Sequence, residues 1–239
     1  MHAGAKCNPR DNEADTRVAS GRPEGAGHIT YAEAAERLID NGFEPLPIIP
    51  GQKRPAPSRW SSIGLAPDRI ADWTHRYPDC GIGLRTGRLV GLDIDEMDPD
   101  RAHEVGQLAE QRLGETLVRV GQWPKRLLLY RTEEPFAKLK AGKVEVLGAG
   151  QQFVAFGLHS VTKRTYAWPT GETPLDVHLD DLPVVDQAGL AAFLAEIGSG
   201  EDQVRGRVPR AGQRSKLASG TPIRDGNGIV VDGRDDWLS

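Results

Sequence analysis

Two aspartates stand inside an apolar run, Val90-Gly91-Leu92-Asp93-Ile94-Asp95. Carboxylates in such a run need something cationic, because burying an unpaired charge is costly. Alternate residues of a strand share a face, so Asp93 and Asp95 point one way while Val90, Leu92 and Ile94 pack behind them. At a rise of ~3.3 Å per residue their β-carbons lie about 7 Å apart. That separation suits carboxylates sharing a pair of hard cations ~3.5–4 Å from one another. Mg²⁺ and Mn²⁺ favour such oxygen ligands and complete their shell with water and phosphate oxygens. Taken alone, the pair also reads as solvated acids at a strand end.

Further residues extend the pattern. Glu145, in Lys143-Val144-Glu145-Val146-Leu147, alternates with two valines, so one sheet could set it beside Asp93 and Asp95. Basic residues gather where strands begin: Lys125 and Arg126, with Arg85, Arg119 and Arg131 elsewhere. Acids that hold metal beside such cations suit a triphosphate, whose charge must be neutralised from two sides. His159 follows an apolar strand and a glycine and is a candidate for gripping a phosphate oxygen. Tyr166 and Trp168 have the alternation of a strand and serve either as core or as stacking surface for a base.

The elements that must position these residues follow from local signals. Thr30-Tyr31-Ala32-Glu33 has capping-box spacing and predicts a helix to Asp40-Asn41, ended by Gly42. The prolines of Phe43 to Pro50 confine that extended segment to a sheet edge or an irregular strand. Pro67 predicts the first position of a helix over 67–76. Ile82 to Arg85 and Leu89 to Asp95, joined by Thr86-Gly87-Arg88, read as a hairpin. Asp98-Pro99 predicts the start of a helix ending near Gly114. Strands are expected over 116–120, 126–131, 143–147, 152–156 and 164–168, then a last helix over about 186–197.

Composition sets bounds on function. At 239 residues the chain can build one sizeable domain with polar ends. The net charge of −4 excludes a globally basic nucleic-acid coat, though not a local basic groove. Cys7 and Cys80 belong to no CxxC pattern, so no disulfide framework or cysteine zinc site is expected and a reducing, cytoplasmic setting is the default. No apolar run approaches the ~18 residues of a membrane span. Residues 1–28 read as a disordered arm and 29–198 as the catalytic domain. Residues 199–239 read as a basic linker or tail, with Arg205, Arg207, Arg210, Arg214 and Lys216 close together, leading to a further domain in a longer protein.

The ordered set of motifs resembles a known family. It comprises Gly42-Phe43-Glu44-Pro45-Leu46-Pro47-Ile48 with Lys53-Arg54-Pro55, then Gly81-Ile82-Gly83-Leu84-Arg85-Thr86-Gly87 and Leu92-Asp93-Ile94-Asp95. Val118-Arg119-Val120-Gly121 and Pro124-Lys125-Arg126-Leu127 follow, then Glu145-Val146-Leu147-Gly148, Gln151-Gln152-Phe153-Val154 through His159, and Tyr166-Ala167-Trp168-Pro169. Over about residues 30–197 the chain is similar to the bifunctional DNA primase/polymerase domain of plasmids, phages and integrated elements, in the archaeo-eukaryotic primase superfamily.

The resemblance implies an α+β fold, with an RRM-like catalytic sheet flanked by helices and joined to a small α/β module. It implies template-directed nucleotidyl transfer using two divalent ions, Mg²⁺ or Mn²⁺, held by Asp93, Asp95 and Glu145 as catalytic residues and metal ligands. Substrate contacts would come from His159, Lys125 and Arg126, with Arg85 and Lys53 reaching the nucleotide or template backbone. The implied partners are single-stranded DNA template, NTP or dNTP, and a helicase domain or subunit, with no membrane. Two departures stand out. Pro124-Lys125-Arg126 replaces the Gly-x-His of better-known members, and His159-Ser160-Val161-Thr162-Lys163 replaces the usual His-Pro-x-Thr-Gly. The alternatives are a metal-dependent nuclease using the same acids, or an inactive nucleotide- or DNA-binding module of the same fold.

Overall fold

Glu33 closes the capping box at the start of α1 (Tyr31–Asp40). Its carboxylate accepts the Thr30 backbone N–H at 2.8 Å and the Thr30 hydroxyl at 2.9 Å. The helix ends before Gly42, whose φ of +81° suits a residue without a β-carbon. The computed structural model describes residues 29–206. Among them it contains four α-helices and two antiparallel sheets, an α+β arrangement. Residues up to Asp202 form one unit, and a second unit begins at Gln203.

The first sheet has three strands, β1 (Pro45–Ile48), β2 (Gly81–Arg85) and β8 (Gln152–Phe156), in the order β1-β2-β8. The proline-rich β1 lies at its edge, where a missing N–H costs least. The second sheet holds β3 (Leu89–Ile94), β4 (Val118–Arg119), β5 (Arg126–Arg131), β6 (Leu139–Ala141) and β7 (Val144–Leu147), in the order β4-β5-β3-β7-β6. Helix α2 (Pro67–Arg76) takes proline at its start, and α3 (Pro99–Leu113) is capped by Asp98, which accepts the Arg101 N–H at 3.0 Å. Gly114 ends α3 at a φ of +98°. Helix α4 spans Gln187–Gly206.

Each face of the second sheet packs on something different. Val90, Leu92, Ile94, Leu128, Tyr130 and Val146 form a core with α3 (Ala102, Val105, Ala109) and α4 (Leu190, Phe193, Ile197). The opposite face contributes Leu89, Leu127, Leu129 and Leu147 to a core shared with α1, α2 and the three-stranded sheet. The alternation read from Asp93 and Asp95 therefore holds, with the apolar neighbours on the helix-covered side.

Three expectations change. Strands β2 and β3 do not form a hairpin: β2 pairs with β1 and β8, and β3 with β5 and β7. Thr86 carries the chain between sheets, alongside the β7–β8 link. Its N–H donates to the Gln151 carbonyl at 2.9 Å and its hydroxyl to that of Gly148 at 2.5 Å. Residues 164–168 make only isolated bridges, Leu158 with Thr165 and Val120 with Ala167, instead of a strand. The short β6 and a 3₁₀ turn at Leu179–Asp181 carried no legible signal. Helix α4 continues beyond residue 198, where composition places a linker, to Gly206. The expected arm at 1–28, which includes Cys7, and the basic residues from Arg207 onward lie outside the described residues, whereas Cys80 is fully buried in the shared core. Among the described residues, no helix is long and apolar enough to cross a membrane.

Candidate active site

Strand β3 lies between β5 and β7, so its side chains have neighbours on both sides. In the β3–β7 ladder Asp93 is directly opposite Glu145, and directly opposite residues of an antiparallel pair share a face. Asp95, just past β3, continues this ladder by donating its N–H to the Lys143 carbonyl at 2.9 Å. Arg119 in β4 pairs with Leu127, which in turn pairs with Asp93, so the arginine lies on the same face.

These residues open onto a cleft of about 170 Å³. Asp93 and Asp95 line it, facing Lys53, Lys125, Arg119 and His159, with Tyr166 and Gly121 completing the wall. A larger depression of about 480 Å³, between the end of α3 and the 170–183 segment, holds none of them. Its charged lining is acidic (Glu110, Glu115, Glu172 and Asp181), so it is unsuited to phosphate.

The three acids have different surroundings. Burial pushes the Asp93 carboxyl above the ordinary aspartate range, Arg119 and Lys53 pull it back, and Asp95 and Glu145 push it further up. Asp95 is largely exposed and receives Lys125 Nζ at 2.6 Å. Hydrogen bonds from Lys138 and Lys140, each at 2.6 Å, hold the Glu145 carboxyl low. Glu145 is thus beside Asp93 in register while its carboxylate is turned to the lysines, and it does not line the cleft. Among the described residues no three His, Cys, Asp or Glu side chains converge on one metal position. Asp93, Asp95 and Glu145 share a face without their carboxylates meeting at one position. The donor set is nonetheless all carboxylate, the chemistry a hard divalent cation prefers, and ammonium groups already hold positive charge against Asp95 and Glu145.

Two members of the basic wall, Arg119 and His159, are buried. Arg119 is 9% exposed; its guanidinium lies 4.5 Å from the Tyr166 ring centroid and 5.6 Å from that of Phe153. One nitrogen donates to the Val154 carbonyl at 2.5 Å, tying β4 to the other sheet, and Nε has no protein partner. Burial lowers its pKa, with Tyr166 and Asp93 acting the other way. It remains a cation, since arginine does not deprotonate in proteins.

His159 is buried, and its Nδ1 accepts the backbone N–H of Thr162 at 3.1 Å. The neutral ring therefore carries its proton on Nε2, available to donate into the cleft. Burial, then Lys53, Arg119, Lys125 and Lys163, lower its pKa below the usual histidine value. Lys53 reaches the cleft from a loop held by Gln152, whose amide donates to the Lys53 carbonyl at 2.7 Å.

Other expected site residues stand elsewhere. Arg85 is committed to structure: its Nε meets Glu44 at 2.6 Å, and Nη1 donates to the carbonyls of Trp60 at 3.1 Å and Ile63 at 2.6 Å. It does not line the cleft. Arg126 borders the cleft, but it pairs with Ile94 and so shares the helix-covered face, its guanidinium close to Gly106 of α3. Trp168 packs against Phe156 and the shared core, and Tyr166 is 8% exposed, so neither offers an open stacking face. Sequence reasoning missed the central place of Arg119 and the role of Gln152. The signal for Arg119 was present, a charge alternating with apolar residues in Leu117-Val118-Arg119-Val120, the same cue that singled out Glu145.

A family model described as bifunctional DNA primase/polymerase, N-terminal, matches residues 35–184. No curated protein matches the sequence.

Proposed function

Because the chain belongs to the bifunctional DNA primase/polymerase N-terminal family, a family of nucleotidyltransferases, we propose that this cleft performs template-directed transfer of a nucleotide from NTP or dNTP to a 3′-hydroxyl. On this reading the five-stranded sheet, backed by α3 and α4, is the RRM-like catalytic sheet, and the three-stranded sheet with α1 and α2 is the smaller α/β module. The observation that carries the proposal is that Asp93 and Asp95 line a cleft whose other walls are cationic, with Glu145 beside Asp93 in register on the same face.

Asp93 and Asp95 would hold divalent metal, Mg²⁺ or Mn²⁺, joined by Glu145 once its lysines release it. The metal, when bound, supplies the positive charge that acidifies a 3′-hydroxyl and offsets charge on the departing pyrophosphate. Lys53 and Lys125 neutralise triphosphate oxygens from the opposite wall. His159 donates its Nε2 proton to a phosphate oxygen, its ring held in that tautomer by its own turn. Arg119 keeps the cleft floor positive without titrating, and Gln152 fixes the loop that presents Lys53.

The test is synthesis on single-stranded template, with and without primer, using labelled NTP and dNTP pools and Mg²⁺ or Mn²⁺. Incorporation that depends on Asp93 and Asp95 supports the proposal, and strand cleavage without triphosphate points to a nuclease instead. A second reading is nucleotide or DNA binding without turnover. It is favoured by the Lys138–Glu145–Lys140 cluster, which holds the third acid away from the other two. Binding without incorporation would identify it.

A further inference from the structure

Trp123 is 67% exposed, although burying an indole is among the larger apolar gains open to any side chain. Trp73 is buried, and Trp60 and Trp168 pack against the shared core. The loop that carries Trp123 is not remote, since Gly121, Gln122 and Lys125 line the cleft on either side of it. Nor is the loop loosely attached. The Thr162 hydroxyl donates to the Gly121 carbonyl at 3.4 Å, and a β-carbon on Gly121 would lie 2.4 Å from Tyr166 and 2.8 Å from the His159 ring. The adjoining 159–165 turn adds Val161, 71% exposed and also on the cleft wall, with exposed Lys163 and Arg164.

We infer that Trp123 is a stacking platform for an unpaired base of single-stranded DNA leaving the cleft. This assignment deepens the polymerase reading above and rests on it for the identity of the strand. An aromatic face beside lysines and arginines is the combination that binds single strands, with charge tracking the backbone and the ring meeting a base. The indole borders the cleft without lining it. A nucleotide whose triphosphate fills 170 Å³ of polar space lies inside that boundary, whereas a polynucleotide continues past it.

The test is fluorescence anisotropy of a labelled oligo-dT with the intact protein, in the absence of metal and triphosphate. W123A should weaken binding by roughly 10- to 100-fold, and W123F should recover most of it. The salt slope should be unchanged in W123A and shallower in K125A, because only the lysine releases counterions. On an abasic strand, which keeps phosphates and lacks bases, wild type and W123A should bind alike. Unaltered oligo-dT binding by W123A overturns the inference, as does an equal loss on the abasic strand. So does a loss of dTTP affinity with oligo-dT binding intact, which moves the base to the nucleotide, or a loss of self-association alone, which makes Trp123 a protein contact. Failure of the two readings is separable. Trp123-dependent binding without incorporation removes only the polymerase activity, and normal binding and extension by W123A removes only the stacking.

Discussion

Glu145 faces Asp93 directly across the β3–β7 ladder, yet Lys138 and Lys140 hold its carboxylate at 2.6 Å each. Lys140 is itself the cross-strand partner of Glu145 in β6, so the acid stands between an aspartate on one side and a lysine on the other. This relationship has measurable consequences.

Removing the lysines should free the third acid. In the K138A/K140A variant the Glu145 pKa should rise toward its ordinary value, and Mn²⁺, followed by electron paramagnetic resonance, should bind about three- to tenfold more tightly, the scale of two partly exposed ion pairs. Unchanged Mn²⁺ affinity would separate Glu145 from metal binding. The fold should persist, since exposed pairs contribute little stability.

Asp93 should trade stability for function. Its folded pKa is raised, so its stabilising contribution is complete below the unfolded value and is lost as pH rises through the folded one. Above the folded pKa the ionised carboxylate therefore opposes folding. D93N should melt at or above the wild-type temperature while losing nucleotide incorporation, measured side by side by calorimetry and primer extension. A marked drop in melting temperature would make Asp93 a structural residue.

His159 should impose a pH slope of opposite sign. Its folded pKa lies below the ordinary value of 6.5, so the unfolded chain takes up the proton first. Stability should fall as pH drops through that value toward the folded pKa, and H159Q should flatten the slope in melts between about pH 8 and pH 5. Nitrogen NMR at neutral pH should find the proton on Nε2.

Gln152 should act through Lys53. Q152A removes the amide that holds the Lys53 carbonyl, so KM for dNTP should rise roughly threefold to tenfold, as for loss of one hydrogen bond, with little change in kcat. K53A should raise KM further, and the double variant should match K53A alone. Additive losses would show that Gln152 has a separate role.

Local chemistry was readable in the chain. A capping pair at Thr30 and Glu33, proline at the head of α2, Asp98 before Pro99 and glycine after α3 act within a turn of their own positions, and the helices lie where these residues put them. The shared face of Asp93 and Asp95, and the turning of Glu145 away from its flanking valines, were legible for the same reason, because strand alternation is a local property. Pairing was not. Strands β2 and β3 are buried on both faces, so neither shows which neighbour it hydrogen-bonds, and the expected hairpin became a crossing between two sheets.

The sequence by itself determined which charged residues alternate with apolar ones and which strands carry them, since period and capping are written in neighbouring residues. Only the tertiary structure decided which charges meet. It buried Arg119 between two rings, sent Arg85 to Glu44 and set Lys140 of the three-residue edge strand β6, with Lys138 just before it, against Glu145. Each of those outcomes depends on groups distant along the chain or in a strand too short to announce itself. Charge, unlike hydrophobic period, carries no mark of the partner it will find.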